Sequence, residues 1–124
     1  MPQKELARTI YDDKVCRIIL SKYPVEKGHL LVISKGHYKD MLSTPDPIVS
    51  HMFNTAKRFG SKSKRKLKCM GMDIGVNIGG AGTVPHLHIH VIPRYSNRRK
   101  PHFAPGKHVI KDSEVDEVRR LFYM

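Results

Sequence analysis

The clearest alternation of apolar and polar positions lies at 86–92, where Leu87, Ile89 and Val91 interleave with His86, His88 and His90. Side chains on a strand point to opposite faces in turn. The stretch therefore predicts a strand with its histidines in a row on one face and its apolar residues turned to a core. Met72, Ile74, Val76 and Ile78 alternate with Gly71, Asp73, Gly75 and Asn77, and predict a strand over 71–78. Leu30-Leu31-Val32-Ile33 follows Gly28-His29 and reads as a buried strand. Arg8 to Tyr11 and Val15 to Leu20 flank Asp12-Asp13-Lys14, the pattern of a hairpin. Ile48, Met52, Ala56 and Phe59 recur at helical spacing, with Val49 and Phe53 beside them. Asp46 is expected to cap this helix and Pro47 to be its first residue. Gly60 or the basic run beyond it should end it. Asp112-Ser113-Glu114 can cap a short last helix through Val115, Val118, Leu121 and Phe122. Strands on both sides of one long helix predict an α+β fold with a mainly antiparallel sheet.

Composition narrows this picture. The 124 residues suit a single domain spanning 1–124, with a core over about 9–105 and a basic tail and short helix over 106–124. No internal repeat or linker is visible. No apolar run approaches the ~20 residues of a membrane span, and Met1 to Glu5 lack the apolar segment of a signal peptide. A cytoplasmic protein is expected, with Cys16 and Cys69 as reduced, buried thiols. The formal net charge is +12, with cations gathered at Lys57-Arg58, Lys62 to Lys68 and Arg98-Arg99-Lys100. Such a field favours phosphate-rich ligands and speeds their encounter. The 98–100 cluster is the one best placed to meet a ligand; Ser61 to Lys66 reads as an exposed helix end or loop.

The candidate chemistry sits around the histidines. Just before them, Gly75 to Pro85 contains four glycines in eight residues, Gly75, Gly79, Gly80 and Gly82. Backbone N–H groups in such a loop can cradle an anion, and Thr83 adds a hydroxyl. A tight turn would explain the glycines as well. The histidines themselves admit three readings. As zinc ligands they are poorly spaced. Same-face residues lie ~7 Å apart along a strand, whereas zinc ligands converge to ~2 Å from the ion, so His29, His37 or an acid would have to complete the set. They could be core or surface histidines that merely alternate. The third reading is nucleophilic catalysis. A neutral imidazole attacks phosphorus and forms a phosphoramidate, splitting one displacement into two. One ring nitrogen must be free to attack while a backbone carbonyl holds the other. The middle residue, His88, is the natural nucleophile.

The run His86-Leu87-His88-Ile89-His90-Val91-Ile92, preceded by Asn77 and the Gly/Ala/Thr loop, resembles the histidine triad (HIT) superfamily of nucleotide hydrolases and transferases. Leu20-Ser21-Lys22-Tyr23-Pro24-Val25-Glu26-Lys27-Gly28-His29 and the apolar strand after it, followed by His37, are similar to a second family motif. The Tyr-Pro form and Pro93-Arg94-Tyr95 look closest to the diadenosine-polyphosphate hydrolase and phosphorylase branch. The resemblance covers roughly residues 9 to 105.

It implies an α+β fold with a five-stranded sheet, one long helix and a homodimer. It implies that His88 is nucleotidylated on the α-phosphate and that His90 contacts phosphate oxygens or assists the leaving group. His86 and His29 would orient His88. Thr83, Gly82 and Asn77 would lie along the phosphate or ribose, Ser21 at the ribose, and Ile10 and Ile18 against the base. No metal or other cofactor is required, though Mg²⁺ could accompany a polyphosphate. Three departures stand out. Ser21 replaces a usual Asp or Asn, Gly82 stands where many relatives have Gln, and the zinc-binding cysteine segment of many relatives is missing. Water as acceptor would make the enzyme a hydrolase, phosphate a phosphorylase. Two alternatives remain: removal of adenylate from nucleic-acid ends, which the charge favours, and a non-catalytic nucleotide-binding protein.

Other residues read plainly. His37 caps or packs, His51 lies exposed on the long helix, Asp12 and Asp13 belong to a turn, and the methionines fill the core. His102 and His108 lie in a tail that could reach substrate.

Overall fold

The computed structural model describes residues 3–79, 85–96, 103 and 105–123. The elements are α1 (Gln3–Ala7), β1 (Thr9–Asp12), β2 (Cys16–Leu20), β3 (Leu30–Ser34), α2 (Asp46–Leu67), β4 (Gly71–Gly75), β5 (His88–Arg94) and α3 (Asp112–Tyr123). A 3-10 turn covers Met41–Ser43. The strands form one five-stranded sheet in the order β1-β2-β3-β5-β4, and every neighbouring pair is antiparallel. The α+β fold with one long helix is as expected; α1 and the 3-10 turn, too short for a periodic pattern, were not foreseen.

Register decides which face of the sheet is core. Ile18 pairs with Val32 and Val32 with Ile89, while Leu20 pairs with Leu30 and Leu30 with Val91. These side chains share one face and are buried beneath Met52, Ala56 and Phe59 of α2 and Val115, Val118 and Phe122 of α3. Each large apolar side chain so buried contributes about 1.5–3 kcal/mol. Leu87, Ile89 and Val91 are in this core, as the alternation required. The opposite face of β5 carries His88 and His90, followed by Ile92 and Arg94.

Four local expectations shift. Asp46 is the first helical residue of α2 rather than its cap, and Pro45 takes the cap position with no side-chain bond. The Pro45 carbonyl is already the first acceptor, taking the N–H of Ile48 at 3.0 Å and of Val49 at 3.2 Å. Gly60 does not stop the helix. A Cβ there would come 2.7 Å from Met72 Sδ, so this glycine admits β4 against the helix. The helix runs on to Leu67 and ends at Lys68, inside the basic run that was the other expected end, and Lys68 adopts the left-handed conformation at φ 55°. Strand β4 stops at Gly75, short of the expected Ile78, and β5 begins at His88, so His86 precedes the strand.

Cys16 and Cys69 are buried and free, as expected. No helix among the described residues is long and apolar enough to cross a membrane.

Candidate active site

Three histidines from two segments meet on the open face of the sheet. His29 lies immediately before β3, where Gly28 turns the chain at φ 87°, a conformation that glycine adopts without strain. His88 and His90 are alternate residues of β5. His29 Nε2 and His90 Nδ1 are 3.0 Å apart, and the His88 and His90 rings lie edge to face with centroids 5.0 Å apart.

The backbone sets the direction of every proton in this cluster. The Val25 N–H donates to His29 Nδ1 at 3.0 Å, so that nitrogen carries no proton. Burial holds His29 neutral, its pKa pushed down to about 3, with cationic neighbours acting the same way. Its one proton is therefore on Nε2, which donates to His90 Nδ1. Burial, and then His88, push His90 down to about 4. Neutral His90 thus carries its proton on Nε2, a buried N–H with no partner among the described residues. Leaving such a donor unpaired costs about 1–3 kcal/mol, and an oxygen bound beside it would recover that cost.

His88 is arranged the opposite way. Its Nδ1–H donates to the His86 carbonyl at 2.7 Å. The neutral ring then has its lone pair on Nε2, the tautomer a nucleophile requires. His86 is a supporting residue. Its Nε2–H donates to the Ser34 carbonyl at 2.7 Å, with Ser34 Oγ at 3.1 Å. This anchors the carbonyl that holds His88. Expected in line with the other two histidines, His86 is instead tied to the end of β3.

The loop ahead of His29 is fastened from the far end of β5. Tyr95 donates its hydroxyl to the Lys27 carbonyl at 2.7 Å, and Arg94 reaches Asp73 at 2.8 Å and Glu26 at 3.9 Å. Pro93-Arg94-Tyr95 therefore helps place the Val25 N–H that sets the tautomer of His29.

The expected substrate-binding residues fall differently. Ile10 and Ile18 do not face the histidines: both are buried in the core under the helices, at 1% and 0% exposure. The register Ile19–Leu31–His90 puts Ile19 and Leu31 on the histidine face instead. The pairing of β2 on β3 and of β3 on β5 decided the parity of Ile18 and Ile19, and the slip between Thr9 and Tyr11 bears on Ile10 alone. Ser21 is buried, and its Oγ accepts the Tyr23 N–H at 3.2 Å. Asn77 donates its side-chain N–H to the Phe103 carbonyl at 2.7 Å. Gly82 and Thr83 lie outside the described residues, as do His102 and the 98–100 cluster.

Phe103 was missed. Its ring lies over His90 at 5.8 Å, and a Cβ on Gly75 would come 2.5 Å from it. The tail beyond it follows the loop ahead of His29, donating from Gly106 to the Tyr23 carbonyl and from Ile110 to the Lys22 carbonyl, each at 2.7 Å. His37 approaches His86 edge-on with centroids 6.0 Å apart. His108 is exposed.

A second cluster lies away from this face. Asp13 Oδ1 accepts the N–H of Val15 at 2.7 Å and of Cys16 at 2.8 Å, and Oδ2 accepts the Tyr11 hydroxyl at 2.8 Å. His51 Nε2 is 2.7 Å from Oδ2, so His51 is tied to the hairpin rather than free on its helix. Asp13, Cys16 and His51 are close enough for three metal ligands. Burial, and then Asp13, push the Cys16 thiol up to about 11, which favours a protonated sulfur over a thiolate ligand.

Residues 3–97 match the HIT domain model, and the chain belongs to that family. Among its relatives is an uncharacterised HIT-like protein of Saccharolobus solfataricus, 30% identical over 70% of this chain and 64% of its own length. Adenylylsulfatase HINT3 of Arabidopsis thaliana is 32% identical over 68% of this chain and 44% of its own length. The chain thus spans less than two thirds of either protein. Among solved structures, a hypothetical histidine triad nucleotide-binding protein from Sulfolobus tokodaii superposes with a TM-score of 0.80 at 27% identity, covering 93% of this chain and 80% of its own.

Proposed function

We propose that this protein is a nucleotide hydrolase or nucleotidyl transferase that acts at the α-phosphate of a nucleotide conjugate. The observation that carries the reading is the pair of opposed tautomers: a free lone pair on His88 Nε2 beside a neutral N–H on His90 Nε2. In the first step the His88 lone pair attacks the α-phosphorus. The bond from phosphorus to the leaving oxygen breaks, and the leaving group departs with its electron pair. The His90 N–H donates to an oxygen that gains charge, a preorganised stabilisation typical of such sites. Water then attacks the nucleotidyl-histidine, releasing a nucleoside monophosphate and regenerating His88. Phosphate in place of water would release the diphosphate.

Dinucleoside polyphosphates are the substrate class we favour, from the resemblance in the 20–29 and 93–95 motifs. The relative named an adenylylsulfatase supports the same site acting on another adenylyl conjugate. Neither histidine needs a metal for this chemistry; Mg²⁺ would enter with a polyphosphate. On this reading Ile19 and Leu31 line the base, in place of Ile10 and Ile18. Strand β4 is an outer strand of the sheet, and pairing of that edge with a second copy would give the family's dimer, which light scattering can test.

The deciding experiment measures turnover of diadenosine tetraphosphate, adenylyl sulfate, an adenosine phosphoramidate and adenylated DNA, with and without added phosphate. Turnover of a nucleotide conjugate that is lost in His88→Ala supports the reading. Preference for adenylated DNA would move the function to nucleic-acid ends. Nucleotide binding with no turnover of any substrate would make this a binding protein.

A further inference from the structure

The helix on the far side of the sheet carries a feature that the histidine chemistry does not use. Seven of the chain's cations, Lys57, Arg58, Lys62, Lys64, Arg65, Lys66 and Lys68, fall within twelve residues, and no acidic residue occurs between Asp46 and Asp73. At 100° per residue, Lys57, Arg58, Lys62, Lys64 and Arg65 project within an arc of roughly 160°, with Asn54 and Ser61 among them, and Lys68 stands at the helix end. Lys57, Arg58, Lys64, Arg65 and Lys68 are exposed, and Asn54, Lys57, Arg58 and Ser61 line a shallow groove.

Among the described residues, no carboxylate is found paired with Lys57, Arg58, Lys62, Lys64, Arg65 or Lys68, whereas Arg17, Lys27, Lys35, His51 and Arg94 each meet one. Two of the stripe's cations are held in place against aromatic rings instead. The Arg58 guanidinium lies 5.3 Å from the Tyr11 ring centre, and Lys62 Nζ lies 5.4 Å from that of Phe59. A helix costs little entropy when it binds, because its charges are already in line. A row of like charges on a rigid element destabilises the free protein, and a polyanion relieves that repulsion.

We infer that this face of α2 docks the phosphate backbone of duplex nucleic acid. From residue 57 to residue 68 the stripe is ~16 Å long at 1.5 Å per residue. That length spans about five phosphates of one strand at 3.4 Å of rise each. Asn54 and Ser61 add the neutral hydrogen-bonding groups that accompany phosphate contacts. A membrane surface is a poorer match, because such a helix needs an apolar face to insert, and the apolar side of α2 is spent on the sheet. A single strand is a poorer match too. It calls for exposed aromatic platforms, and Phe59 is only 8% exposed. The interaction is one of charge and spacing and reads no sequence. It lies on the opposite side of the sheet from His88 and His90, so binding and turnover are separable.

The test is a fluorescence-anisotropy titration of the full chain with a labelled DNA duplex of mixed sequence, two helical turns long, across a range of salt. The variant is Lys57→Gln, Lys64→Gln, Arg65→Gln, three exposed positions away from the core. It should keep the thermal midpoint and the nucleotide turnover of the unaltered protein. It should bind the duplex about tenfold or more weakly, with a salt slope shallower by about 0.9 for each phosphate it no longer neutralises. His88→Ala should bind the duplex unchanged. The inference is overturned if the unaltered chain does not bind the duplex, or if the triple variant binds as well as it does. It is also overturned if Arg98→Gln, Arg99→Gln, Lys100→Gln removes binding instead. Equal affinity for phosphatidylserine vesicles or polyglutamate would overturn it as well, since the stripe would then be a general polyanion surface.

Discussion

Two histidine clusters occupy this small domain, and they show how surroundings divide one side chain between two jobs. In the first, His29 and His90 are buried and bonded to each other and to a backbone N–H, so both stay neutral and the chain of protons ends at the His90 Nε2–H, unpaired among the described residues. In the second, His51 is partly exposed and meets the carboxylate of Asp13. That carboxylate also collects two backbone N–H groups and a tyrosine hydroxyl. These donors hold the Asp13 carboxyl far below the ordinary range, against the opposing effect of its burial. The first cluster has an unspent N–H and a free lone pair. The second has its donors and acceptors paired with one another and fastens the hairpin to α2. A histidine is available for chemistry here when the backbone and other imidazoles hold it, and occupied when a carboxylate does.

The sharpest way to break this comparison is to remove one histidine from each cluster. His88→Ala should lower kcat on the preferred nucleotide substrate by about 10³-fold or more, since a lost nucleophile removes the covalent route. His51→Ala should leave kcat within about twofold, because it touches nothing on the histidine face. Steady-state kinetics of the two variants compares them directly; equal losses would erase the distinction.

The clusters should also separate by pH. His29 and His90 are neutral in the folded chain well below 6.5, whereas their unfolded counterparts take up protons there. The unfolded state then binds more protons, so stability rises with pH through this window and is lost as pH falls from about 6.5 toward 4. Both groups act in the same direction, so the loss steepens as the unfolded chain takes up protons that the folded pair refuses. Asp13 acts lower. Its depressed pKa gives stability that is present above the ordinary carboxylate value and lost only as pH falls further. Urea unfolding from pH 7 down to 4 should show the first loss, and replacing His29 with Gln should flatten it.

A smaller effect is expected from Asp13→Ala, which frees two backbone N–H groups and unties His51. It should cost about 2 kcal/mol of stability with kcat retained, read by urea denaturation beside the kinetic assay. Smallest is Gly75→Ala. Its Cβ would come 2.5 Å from the Phe103 ring, so the ring must shift off His90, at about 1 kcal/mol. A change in KM with little change in kcat would show that the Phe103 ring borders the bound substrate.

Much of this was legible in the amino-acid order. Period-two alternation alone separated His88 and His90 from Ile89 and Val91, because steric pleating of one strand needs no partner. Helical spacing exposed the buried side of α2 for the same local reason. It did not reveal that Gly60 continues the helix, because the atom it makes room for, Met72 Sδ, belongs to another element. Nor could it say that Ile19 rather than Ile18 shares a face with His90, since the register of β2 on β3 and of β3 on β5 decides that parity. The tautomer of His29 depends on one N–H in a loop held by Tyr95 and Arg94. Phe103 over Gly75 and His51 on Asp13 join residues 28 and 38 positions apart. The sequence by itself determined which side chains could do chemistry and which strand would present them. Tertiary structure alone decided which nitrogen carries each proton, because that choice is made by contacts between segments and not by neighbours along the chain.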